Sequence, residues 1–163
     1  MAEIIAQDML EQEEDTQKDK YLTFILGNES YGIEIKHVTE IIGIQPITEV
    51  PELPEYVRGI INLRGKIIPV MDVRLRFKKP YREYNERTCV IVIDIGIVSI
   101  GLIVDSVAEV LSIPSAEIVA PPDISKNGNK YISGIGKVNN EVKLILDCEK
   151  LMGEEDIDTL GKI

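Results

Sequence analysis

The sequence predicts a mostly β fold made of two small, like units, and three observations carry that prediction. The chain repeats itself. Residues 21–42 (YLTFILGNESYGIEIKHVTEII) align with 90–111 (VIVIDIGIVSIGLIVDSVAEVL), setting Phe24 on Ile93, Gly27 on Gly96, Gly32 on Gly101, Val38 on Val107 and Glu40 on Glu109. Residues 57–73 (VRGIINLRGKIIPVMDV) align with 132–148 (ISGIGKVNNEVKLILDC), pairing Gly59 with Gly134 and Asp72 with Asp147. The second observation is period-two apolar patterning in short runs, and the third is Gly/Pro punctuation with no long helical pattern. Together they describe about five short strands per copy closing into a small antiparallel barrel. Strand–helix alternation is missing, which disfavours a doubly wound parallel sheet.

Each copy spans only about 65 residues, a size at which a lone core is marginal, so the copies are expected to share apolar surface. The first runs from about 20 to 79 and the second from about 87 to 152, within one folded domain at 20–152. Residues 1–19 read as a mobile acidic tail, with Ile4, Ile5, Met9 and Leu10 forming at most one amphipathic turn. Residues 153–163 read as a second acidic tail.

From Lys20 the elements follow in order. Leu22, Phe24 and Leu26 point one way and Tyr21, Thr23 and Ile25 the other. A turn at 27–30 leads to Tyr31, Ile33 and Ile35 alternating with Gly32, Glu34 and Lys36, which makes a hairpin. Residues 38–42 extend the sheet. Pro46, Pro51 and Pro54 mark a connector, followed by one helical turn in LPEYVRG. Strands at 60–63 and 67–70 meet at Arg64-Gly65, where Gly65 supplies a positive φ. Pro69 inside the second strand predicts an edge or a bulge. KKPYREYNER (78–87) links the copies. The second copy repeats the order with a longer connector at 114–130 and a closing helical turn at 146–152. Ile103 stands where the first copy has Glu34, so the second unit is buried on more sides or exposes an apolar patch.

The formal charge of −10 resides mainly in the tails. Residues 1–19 hold seven acids and one Lys, and 153–163 hold four acids and one Lys, so 20–152 carries 17 acids and 16 bases. The basic stretch Arg58, Arg64, Lys66, Arg74, Arg76, Lys78, Lys79, Arg82 and Arg87 reads as a solvated rim. With no Trp and 5% aromatics it lacks the stacking surface of a nucleic-acid binder. No apolar window is long enough to span a membrane, and MAEII does not read as a secretory signal. Cys89 and Cys148 sit in apolar runs and are expected to be reduced core residues.

Catalytic chemistry finds no constellation. His37 is the sole histidine and has no second ligand at metal spacing. Asp72 and Asp147 occupy matching strand ends and read as caps of the turns that follow. Asp94 and Asp105 have no activating Lys or Ser pattern beside them. Nucleotide-loop, HExxH and GxSxG motifs are missing. No catalytic residue, cofactor or metal is expected. Arg64 is the sharper signal, because its counterpart is Asn139, a residue suited to a left-handed turn. A turn-tip Arg is commonly solvated; it can also hold a carboxylate with two bonds, within the fold or on a partner. Val38 and Glu40 recur as Val107 and Glu109. This is an apolar strand position beside a solvated acid, or an exposed seam that receives an amphipathic helix.

YLTFILGNESYGIEIKHVTEII, VRGIINLRGKIIPVMDVRLRF and VIVIDIGIVSIGLIVDSVAEVL resemble the CheW family of chemotaxis coupling proteins, from about Lys20 to Met152, most specifically in VRGIINLRGKIIPVMDVR. The resemblance implies two five-stranded Src-homology-3-like barrels around a shared apolar core. It also implies a cytoplasmic, non-catalytic adaptor that bridges the signalling tip of chemoreceptors and the regulatory domain of the histidine kinase CheA. By position, it implies a receptor groove lined by Val38 and Glu40 from one copy and Val107 and Val110 from the other. Arg64 would match the family's NLRG arginine and Gly59 a glycine that lets the backbone pass closely. The kinase contact is implied to use apolar barrel surface, largely of the second copy, with no residue assigned. Two alternatives are a related adaptor in a signalling array outside chemotaxis and, in another class, a small β-barrel nucleic-acid binder.

Overall fold

The computed structural model describes residues 18–121 and 130–152. The expectations for the acidic tails, including the turn at 4–10, lie outside the described residues. The first copy supplies β1 (Lys20–Leu26), β2 (Glu29–Glu34), β3 (Val38–Gly43), β4 (Val57–Leu63) and β5 (Lys66–Asp72). The second supplies β6 (Cys89–Ile95), β7 (Val98–Val104), β8 (Ser106–Ser112), the short β9 (Ile118–Val119), β10 (Ile132–Val138) and β11 (Glu141–Leu146). Two four-residue helical turns, Val73–Arg76 and Cys148–Leu151, follow β5 and β11. Asp72 and Asp147 cap them as expected: Asp72 accepts from the Arg74 amide, and Asp147 from the amides of Glu149 and Lys150.

The strands form a six-stranded sheet, ordered β8-β1-β2-β11-β10-β9, and a five-stranded sheet, ordered β3-β6-β7-β5-β4. The mostly β fold with two Src-homology-3-like units is thus present. The expectation that each copy closes its own barrel is corrected, because the copies exchange their first hairpins. β1–β2 joins β8–β11 of the second copy, and β6–β7 joins β3–β5 of the first. The joints are equivalent parallel pairings, Ile145 against Gly32 and Val70 against Gly101. Sequence pattern is blind to the exchange, since the two hairpins carry the same alternation and either sheet can accept either.

The exchange decides how the core divides. In β6, Ile91, Ile93 and Ile95 enter a central cluster, while Val90 and Val92 fill the interior of the five-stranded unit. In β1, Leu22, Phe24 and Leu26 enter the same central cluster, and Tyr21 packs with Ile113 and Ile145 inside the other unit. Both faces of each exchanged hairpin are therefore buried, which is why β6 reads as apolar on both sides. Ile103 is buried among Val90, Val92 and Ile68, which resolves its placement in favour of burial.

Two further expectations change. LPEYVRG forms no helix; it makes turns that lead into β4. Pro69 lies in β5, an interior strand flanked by β7 and β4. The strand tolerates it because Ile60, opposite Pro69, gives both its N–H and its C=O to Thr48 at 2.9 Å. Pairing of β5 with β7 begins only at Val70, so no ladder bond is asked of the proline nitrogen.

Phe24 is completely buried in the shared core. Phe24→Ala should cost about 3–5 kcal/mol. Because both units lean on that cluster, urea unfolding followed by far-ultraviolet circular dichroism should remain one transition at a lower midpoint. Two separated transitions would show that the units are stable apart.

Candidate functional site

β3 and β8 are equivalent edge strands, one on each sheet. β3 pairs with β6, setting Val38 against Ile93 and Ile41 against Ile91. β8 pairs with β1, setting Val107 against Phe24 and Val110 against Leu22. Cross-strand partners share a face, and these four partners all belong to the shared core. Val38, Ile41, Val107 and Val110 therefore lie on the seam side of their strands. An unbroken strand would put positions three apart on opposite faces. A register shift between Val38 and Glu40, and one between Leu22 and Phe24, inserts the extra residue that brings each pair onto one face. Val38 and Val107 pack against the shared core, while Ile41 and Val110 remain 44% and 50% exposed. Each sheet thus carries, on its bulged edge strand, apolar residues continuous with the shared core, and these two apolar margins are the seam. At the second bulge the buried Thr23 hydroxyl donates to the Glu109 carbonyl at 2.7 Å and accepts from its amide at 3.1 Å.

Ile41 was missed in the sequence reading. The signal was present: the alignment that sets Val38 on Val107 also sets Ile41 on Val110.

Glu40 faces the other way. It pairs with Val92, whose side chain fills the interior of the five-stranded unit. There it meets Arg64, whose guanidinium donates to Glu40 Oε2. Arg64 thus pairs with a carboxylate within the fold while its side chain remains 73% exposed. Arg64 has φ 53° and Asn139 has φ 52°, so the two turns share a backbone although only one carries a charge. β3 and β4 are opposite edges of their sheet, and the pair ties the β4–β5 turn to β3, drawing those edges together. Gly59 is buried at φ 145°, and a Cβ there would collide with the Thr48 carbonyl. Its part is to admit the Thr48–Ile60 bridge. Of the six expected site residues, the structure brings Val38, Val107 and Val110 to the seam. It joins Glu40 and Arg64 at the β4–β5 turn and buries Gly59 farther along β4, against Thr48.

The basic stretch is not wholly a solvated rim. Arg74 is bidentate to Asp105, Nε to Oδ1 at 2.7 Å and Nη2 to Oδ2 at 2.8 Å, with side chains only 14% and 13% exposed. The Gly27 amide also donates to Asp105, at 2.7 Å, and Arg82 at 3.2 Å. Burial alone would raise the Asp105 pKa; the hydrogen bonds from Arg74 and Gly27 and the charges of Arg74 and Arg82 outweigh it and hold the carboxyl below its ordinary value. This latch ties the β1–β2 turn of the first copy and the helical turn after β5 to the β7–β8 corner of the second. Asp72 accepts from the Tyr84 hydroxyl at 2.7 Å, fastening the link between copies. Asp94 accepts from Ser99 at 2.6 Å. Cys89 and Cys148 are free thiols, and burial pushes Cys148 up to about 12. Among the described residues no group of His, Cys, Asp and Glu is arranged to hold a metal, and no helix is long and apolar enough to cross a membrane.

Residues 20–156 match the family model described as CheW-like domain. The chain is 35% identical over 150 residues to the chemotaxis protein CheW of Klebsiella aerogenes, covering 91% of this chain and 90% of that protein. It is 31% identical over 144 residues to the chemotaxis protein CheW of Helicobacter pylori, covering 88% and 87%. The crystal structure of the scaffolding protein TtCheW from Thermoanaerobacter tengcongensis superposes with a TM-score of 0.77 at 37% identity, covering 82% of this chain and 92% of that one.

The Asp105 latch gives a pH signature. Asp105→Asn should destabilise the protein by about 3–5 kcal/mol at neutral pH, since it leaves Arg74 buried without its counter-charge. The folded-state pKa lies below the unfolded one, so the ionic contribution is fully present above the ordinary carboxylate value and is lost as pH falls through the folded value. The stability gap between wild type and variant in urea should therefore narrow below roughly pH 4. A gap independent of pH would remove the ion pair as its cause.

Proposed function

The chain belongs to the CheW family, and from that premise we propose that it is a non-catalytic cytoplasmic adaptor coupling the signalling tip of chemoreceptors to the histidine kinase CheA in bacterial chemotaxis. The observation that carries this reading is the seam, with Val38 and Ile41 on one border and Val107 and Val110 on the other. An amphipathic helix presents apolar side chains three and four residues apart along one stripe, and an apolar trough bordered on both sides receives such a stripe. The receptor tip expected from the family is a helical hairpin, which fits this mode. Glu40 and Arg64 act one step removed, holding the mouth of the unit whose edge strand forms one border. Gly59 acts on the same sheet by admitting the Thr48–Ile60 bridge.

An adaptor needs a second surface. Ile67 and Val142 are equivalent residues beside the turns of the two units, and both are exposed. Val119, on the edge strand β9, is exposed as well. These residues offer apolar surface away from the seam, and Val142 with Val119 supplies the second-copy contact expected for the kinase. Coupling then requires receptor states that differ in how they bias the kinase held on the other surface.

Co-sedimentation with receptor fragments and CheA, each partner omitted in turn, tests the reading. The ternary pellet should need this protein, and wild-type kinase recruitment without it would end the proposal. Ile41→Lys and Val110→Lys should each weaken receptor binding at least tenfold in a titration with receptor tips while leaving the circular dichroism unchanged; undiminished binding by both variants would displace the seam as the docking site. Arg64→Ala should retain receptor binding and lose kinase activation. If the Glu40–Arg64 pair is the working unit, Glu40→Ala should do the same, and the double variant should be no worse than the more severe single one. Additive losses in a reconstituted phosphorylation assay would separate the two residues.

A further inference from the structure

The two bulges that shape the seam are each met by a threonine hydroxyl, and the two threonines come from opposite strands. In β8 the residues between Val107 and Val110 are Ala108 and Glu109, and both stand opposite Thr23 of β1, where the register shifts. The Thr23 hydroxyl spans this irregularity, donating to the Glu109 carbonyl at 2.7 Å and accepting from the Glu109 amide at 3.1 Å. In β3 the extra residue is Thr39, between Val38 and Glu40, and its hydroxyl donates to the Val92 carbonyl of β6 at 3.1 Å. The repeat sets Thr39 on Ala108 and Val92 on Thr23. Each bulge therefore has a threonine at one of two facing positions and an aliphatic residue at the other, and the copies fill those positions in opposite ways. The side chains have traded strands and the hydroxyl has stayed.

A bulge interrupts the ladder at the extra residue, where backbone groups lose their regular partners. A hydroxyl donates and accepts at once, so Thr23, completely buried, serves both the amide and the carbonyl of Glu109. Without it, the alternative open to β8 is to shed the bulge and slide by one residue. A slip of that size turns the side chains beyond it to the other face. The seam is sensitive to such a slip. Val107 and Val110 share a face only through the shift between Leu22 and Phe24, and Val38 and Ile41 only through that between Val38 and Glu40. We propose that Thr23 and Thr39 are positioning residues of the docking surface: by fixing the two bulges they hold Val110 and Ile41 on the seam. This inference rests on the reading of the seam as the surface that receives the receptor helix. The hydroxyl of each threonine, rather than its bulk, is the working part, because the facing position in the other copy supplies it equally well.

The test uses the full-length protein and reads the bulge and the docking separately. Thr23→Val keeps the shape of the side chain and removes the hydroxyl. The nuclear Overhauser contacts between Leu22 and Val110 should disappear, and titration with receptor-tip fragments should show binding weakened about tenfold, as when one apolar anchor leaves an interface. Thr23→Ser retains the hydroxyl and should match wild type in both measurements. Adding Ala108→Thr to Thr23→Val rebuilds in β8 the arrangement of β3, and should restore both the contacts and the affinity. A residue needed only for packing would gain nothing from a substitution on the facing strand. Thr39→Ala, at an exposed position that places little load on the fold, should likewise lose the contacts between Ile41 and Ile91. Survival of the contacts in both Thr23→Val and Thr39→Ala would overturn the proposal. Contacts that vanish and return with Ala108→Thr while binding stays at the wild-type level would support the part given to the threonines and remove the seam as the docking site.

Discussion

The structure depends on one constraint: two like hairpins must each bury both faces. A hairpin of this length exposes one face when it closes a single small barrel, and a barrel of about 65 residues has little stability to spare. Exchange places the surplus face of each hairpin against that of the other. The equivalences are residue by residue. Leu22 and Ile91, Phe24 and Ile93, Leu26 and Ile95, Tyr31 and Ile100, and Ile33 and Leu102 all lie in one cluster. The molecule is in effect a dimer fused into one chain, with an isologous interface where a true dimer would have one. That interface also sets the separation of β3 and β8, so the seam has its borders because the core has its symmetry.

Divergence between the copies falls at the places where the symmetric frame is used unequally. Arg74 and Asp105 form the latch of one half. Their counterparts are Glu149 and Lys36, the same two signs exchanged, and there Lys36 instead pairs with Glu34 at 3.2 Å. Arg64 and Asn139 share one backbone conformation, and only Arg64 reaches across to an acid. Phe77 is only partly buried where its counterpart Met152 is buried in the shared core. In each case the backbone is retained and the side chain decides whether the site is charged, latched or accessible.

Much of this was legible in the sequence. Repetition and period two give the strands because alternation is a direct consequence of the pleat. The Asp caps follow from their place ahead of short helical turns, and the buried state of Ile103 was one of two readings. Three things were hidden. Hairpin exchange leaves no trace in a repeated pattern. The direction of Glu40 depends on a bulge, and a bulge reverses every inference from alternation beyond it; the same bulge puts Ile41 on the face of Val38. The Arg74–Asp105 pair joins residues that only the exchange brings together. Pro69 misled because edge position is the usual reason for a strand proline, whereas here its partner's hydrogen bonds are already spent on Thr48.

The exchanged hairpins also impose an order on biosynthesis. A ribosome releases β1–β2 long before the strands that flank them, and at about 5–20 residues per second the nascent hairpin waits several seconds for its sheet. During that interval Leu22, Phe24 and Leu26 have no neighbours to cover them. The five-stranded unit, contiguous from β3 to β7, can assemble first, whereas β1–β2 reaches its native place only once β11 has emerged from the exit tunnel.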